Sequence, residues 1–167
     1  MAGTLWLVVR TRARAEKQVA AYCAKLGWPH YLPQRRSVRR YGPRAVTFYL
    51  PLFPGYVFAQ LTADQRPALE QSRHVATLLL PAPPAEAGLI RELNDVLLLE
   101  TLSQQETLVV RPELVVGQVV EIQQGPLAGL RGIIQRRKHE ARLSVNVEMI
   151  GQSVSVEIDA GEVTLYS

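Results

Sequence analysis

The sequence LPLFPGYVFAQL, residues 50–61, predicts the strand around which the rest of the chain is organised. Pro51 and Pro54 exclude a helix here, because proline fixes its own φ and disfavours the helical region for the residue before it. Gly55 allows a close approach of the backbone, and the four residues after it have the β-branched and aromatic content of a sheet. A strand is therefore predicted to begin after Pro54.

The two faces of this strand are predicted to differ. Side chains alternate along a strand, so Val57 and Ala59 share one face, which we expect to point into the core. Tyr56 and Phe58 then lie on the opposite face. The alternative is that helices cover both faces of the sheet, which would place all four side chains in the core.

Two separate motifs resemble those of one protein family. The first is LFPGYVF, residues 52–58, which resembles the central strand motif of the NusG N-terminal (NGN) domain. The second is GQVVEIQQGPLAGLRGII, residues 117–134, which resembles the KOW motif of strand, Gly-Pro turn, glycine and second strand. In this order the two motifs are similar to those of the NusG and RfaH family of transcription elongation factors.

Residues 1–102 predict an α+β sandwich, in which helices pack on a mostly antiparallel sheet. Apolar runs at residues 5–9 and 75–80 are typical of buried strands. Residues 34–49 between them predict a basic hairpin that turns at Tyr41-Gly42-Pro43. The resemblance implies the same fold, an NGN-type sandwich.

Three helices are predicted in this part of the chain. Helical spacing places Ala15, Val19, Cys23 and Leu26 on the buried stripe of the first helix. A short helix follows Thr62 or Asp64, either of which is a suitable cap. The last helix starts at Glu86, and the side chains that it is predicted to bury are Leu89, Ile90, Leu93, Val96 and Leu97.

The spacing of apolar residues changes from helical to alternating after a polar stretch. This stretch predicts a linker at residues 103–113. Apolar and polar residues alternate from Leu143 to Met149 and again from Val154 to Asp159. Turns at 125–126, 139–140, 151–152 and 160–161 would separate five short strands, a pattern typical of a small barrel. Residues 114–167 are thus predicted to form a five-stranded KOW β-barrel with no stable helical form.

The composition favours a binding protein over an enzyme. The 167 residues include 3 histidines in different elements and 1 cysteine, so neither a metal site nor an internal disulfide is expected. Cys23 is predicted to be a buried small hydrophobe. No catalytic constellation or phosphate loop is visible, and no cofactor is expected. Without an apolar run that could span a bilayer, we expect a cytoplasmic protein. We also expect it to be a monomer.

Basic residues concentrate near the N-terminus. Residues 10–44 contain ten lysines and arginines and one acid, Glu16, although the net charge of the whole chain is only +4. Such a segment is a candidate nucleic-acid surface, and the alternative is a solvated basic face. In specialised NusG paralogues the corresponding face reads the non-template DNA strand. That resemblance implies DNA contacts by Arg10, Arg12, Arg14, Arg73 and His74, while the hairpin arginines are candidates for upstream duplex DNA.

The resemblance also implies protein partners. NGN domains dock an apolar patch on the β′ clamp helices of RNA polymerase, which assigns Trp6, Tyr56 and Phe58 to that contact. A second contact, with the β gate loop or protrusion, would fall on residues 62–73. KOW domains recruit a ribosomal protein or the termination factor Rho, for which Leu127 and Ile150 are candidates, unless these two side chains only close the ends of the barrel.

The predicted function is therefore that of a transcription elongation and antitermination factor, which clamps RNA polymerase and suppresses pausing. The density of arginines favours a specialised paralogue. The alternative is a ribosome-associated or other RNA-binding KOW protein whose basic hairpin binds structured RNA. The two functions differ at the apolar N-terminal face, because only polymerase binding requires it.

Overall fold

The computed structural model describes residues 3–102, 107–138, 140–159 and 165–166. Its strands in chain order are β1 (Thr4–Thr11), β2 (His30–Tyr31), β3 (Gln34–Tyr41), β4 (Arg44–Pro51), β5 (Tyr56–Thr62), β6 (Val75–Leu79), β7 (Val109–Arg111), β8 (Gln118–Ile122), β9 (Arg131–Arg137), β10 (Glu140–Val147), β11 (Gln152–Asp159) and β12 (Leu165–Tyr166). The helices are α1 (Glu16–Lys25), α2 (Arg66–Glu70) and α3 (Glu86–Glu100), and short 3₁₀ turns lie at Pro83–Ala85 and Glu148–Ile150.

The chain divides into two compact units. The first comprises Met1–Gln34 and Tyr49–Ile90, and the second comprises Arg35–Phe48 and Arg91–Ser167. Mixed helices and antiparallel sheets confirm the predicted α+β class. The predicted domain limits at residues 102 and 114 stay a prediction.

The first unit is built on a four-stranded sheet in the order β2-β5-β1-β6. All of its neighbouring strands are antiparallel, and β1 pairs with β5 along its length, from Thr4 opposite Thr62 to Arg10 opposite Tyr56. Val57 and Ala59 belong to the buried cluster that also contains residues of α1. The prediction that this face of β5 points into the core is confirmed.

Two helices differ in detail from the sequence pattern. Leu26, predicted to be buried, is 45% exposed, because α1 ends at Lys25 and Leu26 already forms its C-cap. In α3, Ile90 and Leu97 are exposed, although the pattern had placed both in the core. The stripe that α3 buries is Leu89, Leu93, Val96 and Leu99, a set that also has helical spacing but is rotated from the predicted one.

Strands β3 and β4 form a separate two-stranded sheet. Gly42 and Pro43 join the two strands, in agreement with the basic hairpin that the sequence predicted. Its side chains are largely exposed on both strands.

The second unit contains a sheet in the order β12-β8-β9-β10-β11-β7. Its five strands after residue 114 confirm the predicted number, and they are strands rather than helices. A sixth strand was missed, because β7 lies inside the predicted linker and pairs with β11. The predicted turns at 139–140 and 160–161 and the start of the linker at 103–106 involve residues outside the described part of the chain.

Candidate functional site

A turn at Gly55 fixes where β5 begins. Its φ of +91° belongs to the left-handed region, which glycine enters without strain. The amide of Gly55 donates to Glu16 Oε2 at 2.8 Å, and its carbonyl accepts from the amide of Thr11 at 2.8 Å. Glu16 is buried at 7% exposure. The one acid of the basic segment therefore holds the turn that positions Tyr56.

Glu16→Ala is expected to lower the free energy of unfolding of the chain by about 1–3 kcal/mol, because it leaves the amide of Gly55 without its acceptor. Denaturant unfolding monitored by tryptophan fluorescence measures the loss. Glu16→Gln keeps a side-chain oxygen at this place and is expected to lose less. Equal losses in the two variants would contradict the role of Glu16 as a hydrogen-bond acceptor.

The aromatic face of the first unit is formed jointly by β1 and β5. Directly paired residues of antiparallel strands share a face, so Trp6 joins Gln60, and Arg10 joins Tyr56. Phe58 is fully buried, whereas Trp6 and Tyr56 are half-buried. The expectation of an open aromatic patch is thus corrected for Phe58, because the pattern gives the face of a side chain but not what covers it.

The predicted DNA-binding residues meet where β1 ends and β6 begins. The amide of Arg12 donates to the carbonyl oxygen of His74 at 2.9 Å, which joins two segments distant in sequence. Arg10, Arg12, Arg14 and Arg73 are exposed, and His74 is half-buried. Because Glu16 is buried at the Gly55 turn, residues 10–44 present no exposed acid beside these arginines. The structure therefore brings Arg12 beside His74 at this end of β1 and β6, and Arg10, Arg14 and Arg73 are their near neighbours in the chain.

Residues 62–73, predicted to make a second protein contact, form a turn and the short helix α2. The amide of Thr62 donates to Gln65 Oε1 at 3.0 Å, and the N-cap is Gln65 rather than the predicted Thr62 or Asp64. Leu69 anchors the helix in the core at 0% exposure. The remainder of the helix surface is exposed apart from Arg66, which is half-buried.

The two partner candidates of the second unit differ in accessibility. Leu127 is buried at 7% exposure inside the turn between β8 and β9, whereas Ile150 is half-buried in a 3₁₀ turn. The apolar side chains that this unit exposes near them in sequence are others, Leu114, Val116 and Val119. The exposure of Val119 could have been predicted from the sequence. Val119 is followed by a second valine, and adjacent side chains of a strand point to opposite faces, so only one of the two can face the core.

The described ranges 3–102, 107–138, 140–159 and 165–166 contain no group of side chains that suits a metal ion and no reactive thiol. There, no three His, Cys, Asp or Glu side chains are grouped so that they could hold a metal ion. Burial raises the pKa of Cys23 to about 11, which keeps the thiol protonated near neutral pH. In the same part of the chain, none of the helices combines the length and the apolar character needed to cross a membrane.

Comparison with known proteins gives matches of two different kinds. A family model described as "NusG: Transcription termination factor nusG" matches residues 4–115, more than half of the chain. Among solved structures, one titled "Domain interaction in Thermotoga maritima NusG" is similar, with a TM-score of 0.51, 19% identity and 98% of each chain covered. At that identity the likeness shows the fold alone. A comparison with curated protein sequences finds no match. On the strength of the family match, the chain belongs to the NusG family of transcription elongation and termination factors.

Proposed function

We propose that the protein binds RNA polymerase during elongation and suppresses pausing and termination. The main observation behind this proposal is that Arg10 and Tyr56 are paired across β1 and β5, so that their side chains lie on the same face of the sheet. An aromatic surface for a protein partner therefore continues into a basic edge for nucleic acid. Such a surface suits a factor that contacts a transcribing polymerase and its DNA together.

The polymerase contact is assigned to Trp6, Tyr56 and Phe58. Aromatic side chains provide large contact areas at low entropic cost, and they dominate the binding energy of many interfaces. Trp6 and Tyr56 are the accessible members of this patch. Phe58 is buried on the same face, where it supports the patch from below. The partner of this patch is the pair of β′ clamp helices, and residues 62–73 face the β gate loop or protrusion.

The DNA contact is assigned to the basic edge formed by Arg10, Arg12, Arg14, Arg73 and His74. Arginines pair with phosphates and stack on unpaired bases, so such an edge suits the exposed non-template strand. This contact supports a specialised NusG paralogue with antitermination activity.

The KOW domain supplies the third contact. In this proposal it recruits a second machine, either a ribosomal protein or Rho. Ile150 contributes accessible apolar surface, and Leu127 supports the neighbouring turn from within.

The test is in vitro transcription with purified RNA polymerase and the variant Trp6→Ala/Tyr56→Ala. We expect loss of pause suppression and a fall in polymerase affinity of about 2 kcal/mol or more, roughly thirtyfold, as for a central interface pair. Tyr49→Ala removes an exposed aromatic of β4 instead and serves as the matched control. Polymerase binding that survives the double substitution would reject the patch.

The templates in the same experiment separate a specialised factor from a general one. Shortened pauses only on a template with its own upstream leader would support the specialised paralogue, and shortened pauses on every template a general factor. A protein that neither binds polymerase nor affects pausing would instead be an RNA-binding KOW protein.

A further inference from the structure

Glu86, the first residue of α3, makes a contact that the proposed function does not use. Its carboxylate accepts from the backbone amide of Trp6, with 2.7 Å between Oε2 and the nitrogen. The two residues are 80 positions apart in the sequence, so this hydrogen bond exists only in the folded chain. Both belong to the first unit. The contact therefore fixes the backbone of an aromatic residue that is assigned to the polymerase patch.

The pairing of β1 explains why the amide of Trp6 needs an acceptor from a side chain. On one side, β1 pairs with β5, where Trp6 lies opposite Gln60. On the other side, the described pairing with β6 runs from Val8 to Thr11. Backbone amides of a strand point to alternate sides, so the amide of Trp6 faces the same side as that of Val8, beyond the last paired residue. Glu86 supplies there the acceptor that a longer β6 would supply.

The geometry of this hydrogen bond is that of a strong one. Hydrogen bonds with a charged acceptor are shorter and stronger than neutral ones, and 2.7 Å is at the short end of the N–H···O range. Glu86 lies in the first turn of α3, where the helix dipole stabilises a negative charge. Glu86 and Trp6 are both half-buried, which limits the competition from water.

The second accessible aromatic of the patch is held in the same way. Glu16 is the first residue of α1, and it accepts from the amide of Gly55, the residue before Tyr56. Each of the two helices thus uses the carboxylate of its first residue to fix the backbone at one patch aromatic. An aromatic side chain on a fixed backbone loses less conformational entropy when it binds a partner.

We propose that Glu86 is a positioning residue for polymerase binding, which fixes the backbone of Trp6 so that its indole is already ordered before the partner arrives. The inference rests on the proposed function, because Glu86 acts through the polymerase patch. Without this hydrogen bond, β1 would be paired at Trp6 on one side only, and its first residues would open more readily. The indole would then have to be ordered on binding, which lowers the affinity.

The first test is NMR of the backbone amides in the free full chain, with the variants Glu86→Ala and Glu86→Gln. Glu86→Ala is expected to speed the exchange of the Trp6 amide with solvent about tenfold, as for the loss of a hydrogen bond to a charged group. Glu86→Gln keeps an oxygen acceptor and is expected to restore most of the protection. Glu113→Ala removes an exposed carboxylate of the second unit and is the control for net charge. Unchanged exchange of the Trp6 amide in Glu86→Ala would overturn the inference.

The second test measures the affinity for RNA polymerase in a double-mutant cycle. Glu86→Ala is expected to weaken binding about fivefold, and Glu86→Gln about twofold or less. In a Trp6→Ala background, Glu86→Ala is expected to cost no further affinity, because it acts only through Trp6. A general structural role would lower the affinity equally in both backgrounds, and that result would reject the positioning role.

Failure of this inference and failure of the proposed function give different results. If Trp6→Ala/Tyr56→Ala loses polymerase while Glu86→Ala binds like the parent chain, the patch is supported and the positioning role is rejected. If the double variant binds like the parent chain, the patch is rejected, and the positioning role with it. Weaker binding by both, together with faster exchange of the Trp6 amide in Glu86→Ala, supports the inference.

Discussion

Gly132→Ala is expected to lower the stability of the C-terminal sheet by about 1–3 kcal/mol, the usual cost of overpacking a core. A Cβ atom at Gly132 would lie 2.9 Å from the carbonyl oxygen of Ser144 and 2.9 Å from Leu143 Cδ1. The carbonyl belongs to the backbone of the neighbouring strand β10, which cannot move aside without disturbing its pairing with β9. Gly132 is thus required for close approach of the strands.

Amide hydrogen exchange in the full chain measures this effect locally. The amides of β9 and β10 are expected to lose protection in Gly132→Ala, while those of β1 and β5 keep it. Gly88→Ala is the matched control, because a Cβ there meets no atom within 4 Å and the residue lies in helix α3. It is expected to stabilise the chain by about 0.5–1 kcal/mol. Unchanged protection of β9 in Gly132→Ala would contradict the steric argument.

The second large effect that we expect is a pH dependence of folding stability, which two carboxylates of α3 cause. Glu92 accepts from the amide of Glu148 with both carboxylate oxygens, at 3.3 and 3.4 Å. Asp95, only 5% exposed, accepts from the amide of Arg131 at 3.3 Å. Burial outweighs these bonds and raises the pKa of Glu92 to about 7 and the pKa of Asp95 to about 6.

The sign of the pH dependence follows from the raised pKa values. The folded chain binds protons at these two groups more tightly than the unfolded chain, so protonation favours folding. Stability is therefore expected to fall as the pH rises from about 4.5 to 7 for Glu92, and from about 4 to 6 for Asp95. This is the opposite of the behaviour of a carboxylate in an ion pair.

Unfolding of the full chain by urea across this pH range provides the test. Glu92→Gln keeps an acceptor for the amide of Glu148 and cannot ionise. It is therefore expected to remove the part of the pH dependence that Glu92 causes, to leave the part that Asp95 causes, and to raise stability at pH 8. Glu70→Gln on α2 removes an exposed carboxylate and serves as the control for the change in net charge. If the stability of Glu92→Gln depended on pH as steeply as that of the parent chain, Glu92 would not be a source of the pH dependence.

Local patterns predicted most of the fold. Three patterns depend on residues close in sequence: Pro51, Pro54 and Gly55 before Tyr56, the alternation in β10 and β11, and the helical spacing in α1. Strand β7 escaped detection because three residues are too few to show a period. The rotation of the buried stripe in α3 was also hidden, since Ile90 and Leu97 continue the apolar pattern equally well and only tertiary packing selects between the two stripes.

The candidate site was predictable in its residue types but not in its exposure. Alternation placed Tyr56 and Phe58 on one face, yet their different burial depends on what covers each, which no local pattern contains. The basic edge needed the pairing of β1 with β6 to bring Arg12 beside His74. Glu16 is distinguished in the sequence as the one acid of the basic segment, but its hydrogen bond with the amide of Gly55 depends on the fold.

The pairing of β7 with β11 decides where a C-terminal fragment of this chain has to begin. A fragment cut at residue 114 would lack β7, along with the carbonyl oxygens of Val109 and Glu113 that accept from the hydroxyls of Ser155 and Ser153. It would also leave β11 as an uncovered strand edge, the kind of surface that recruits strands from other molecules. A fragment starting at or before residue 107 keeps that edge protected and is the piece to express for binding studies.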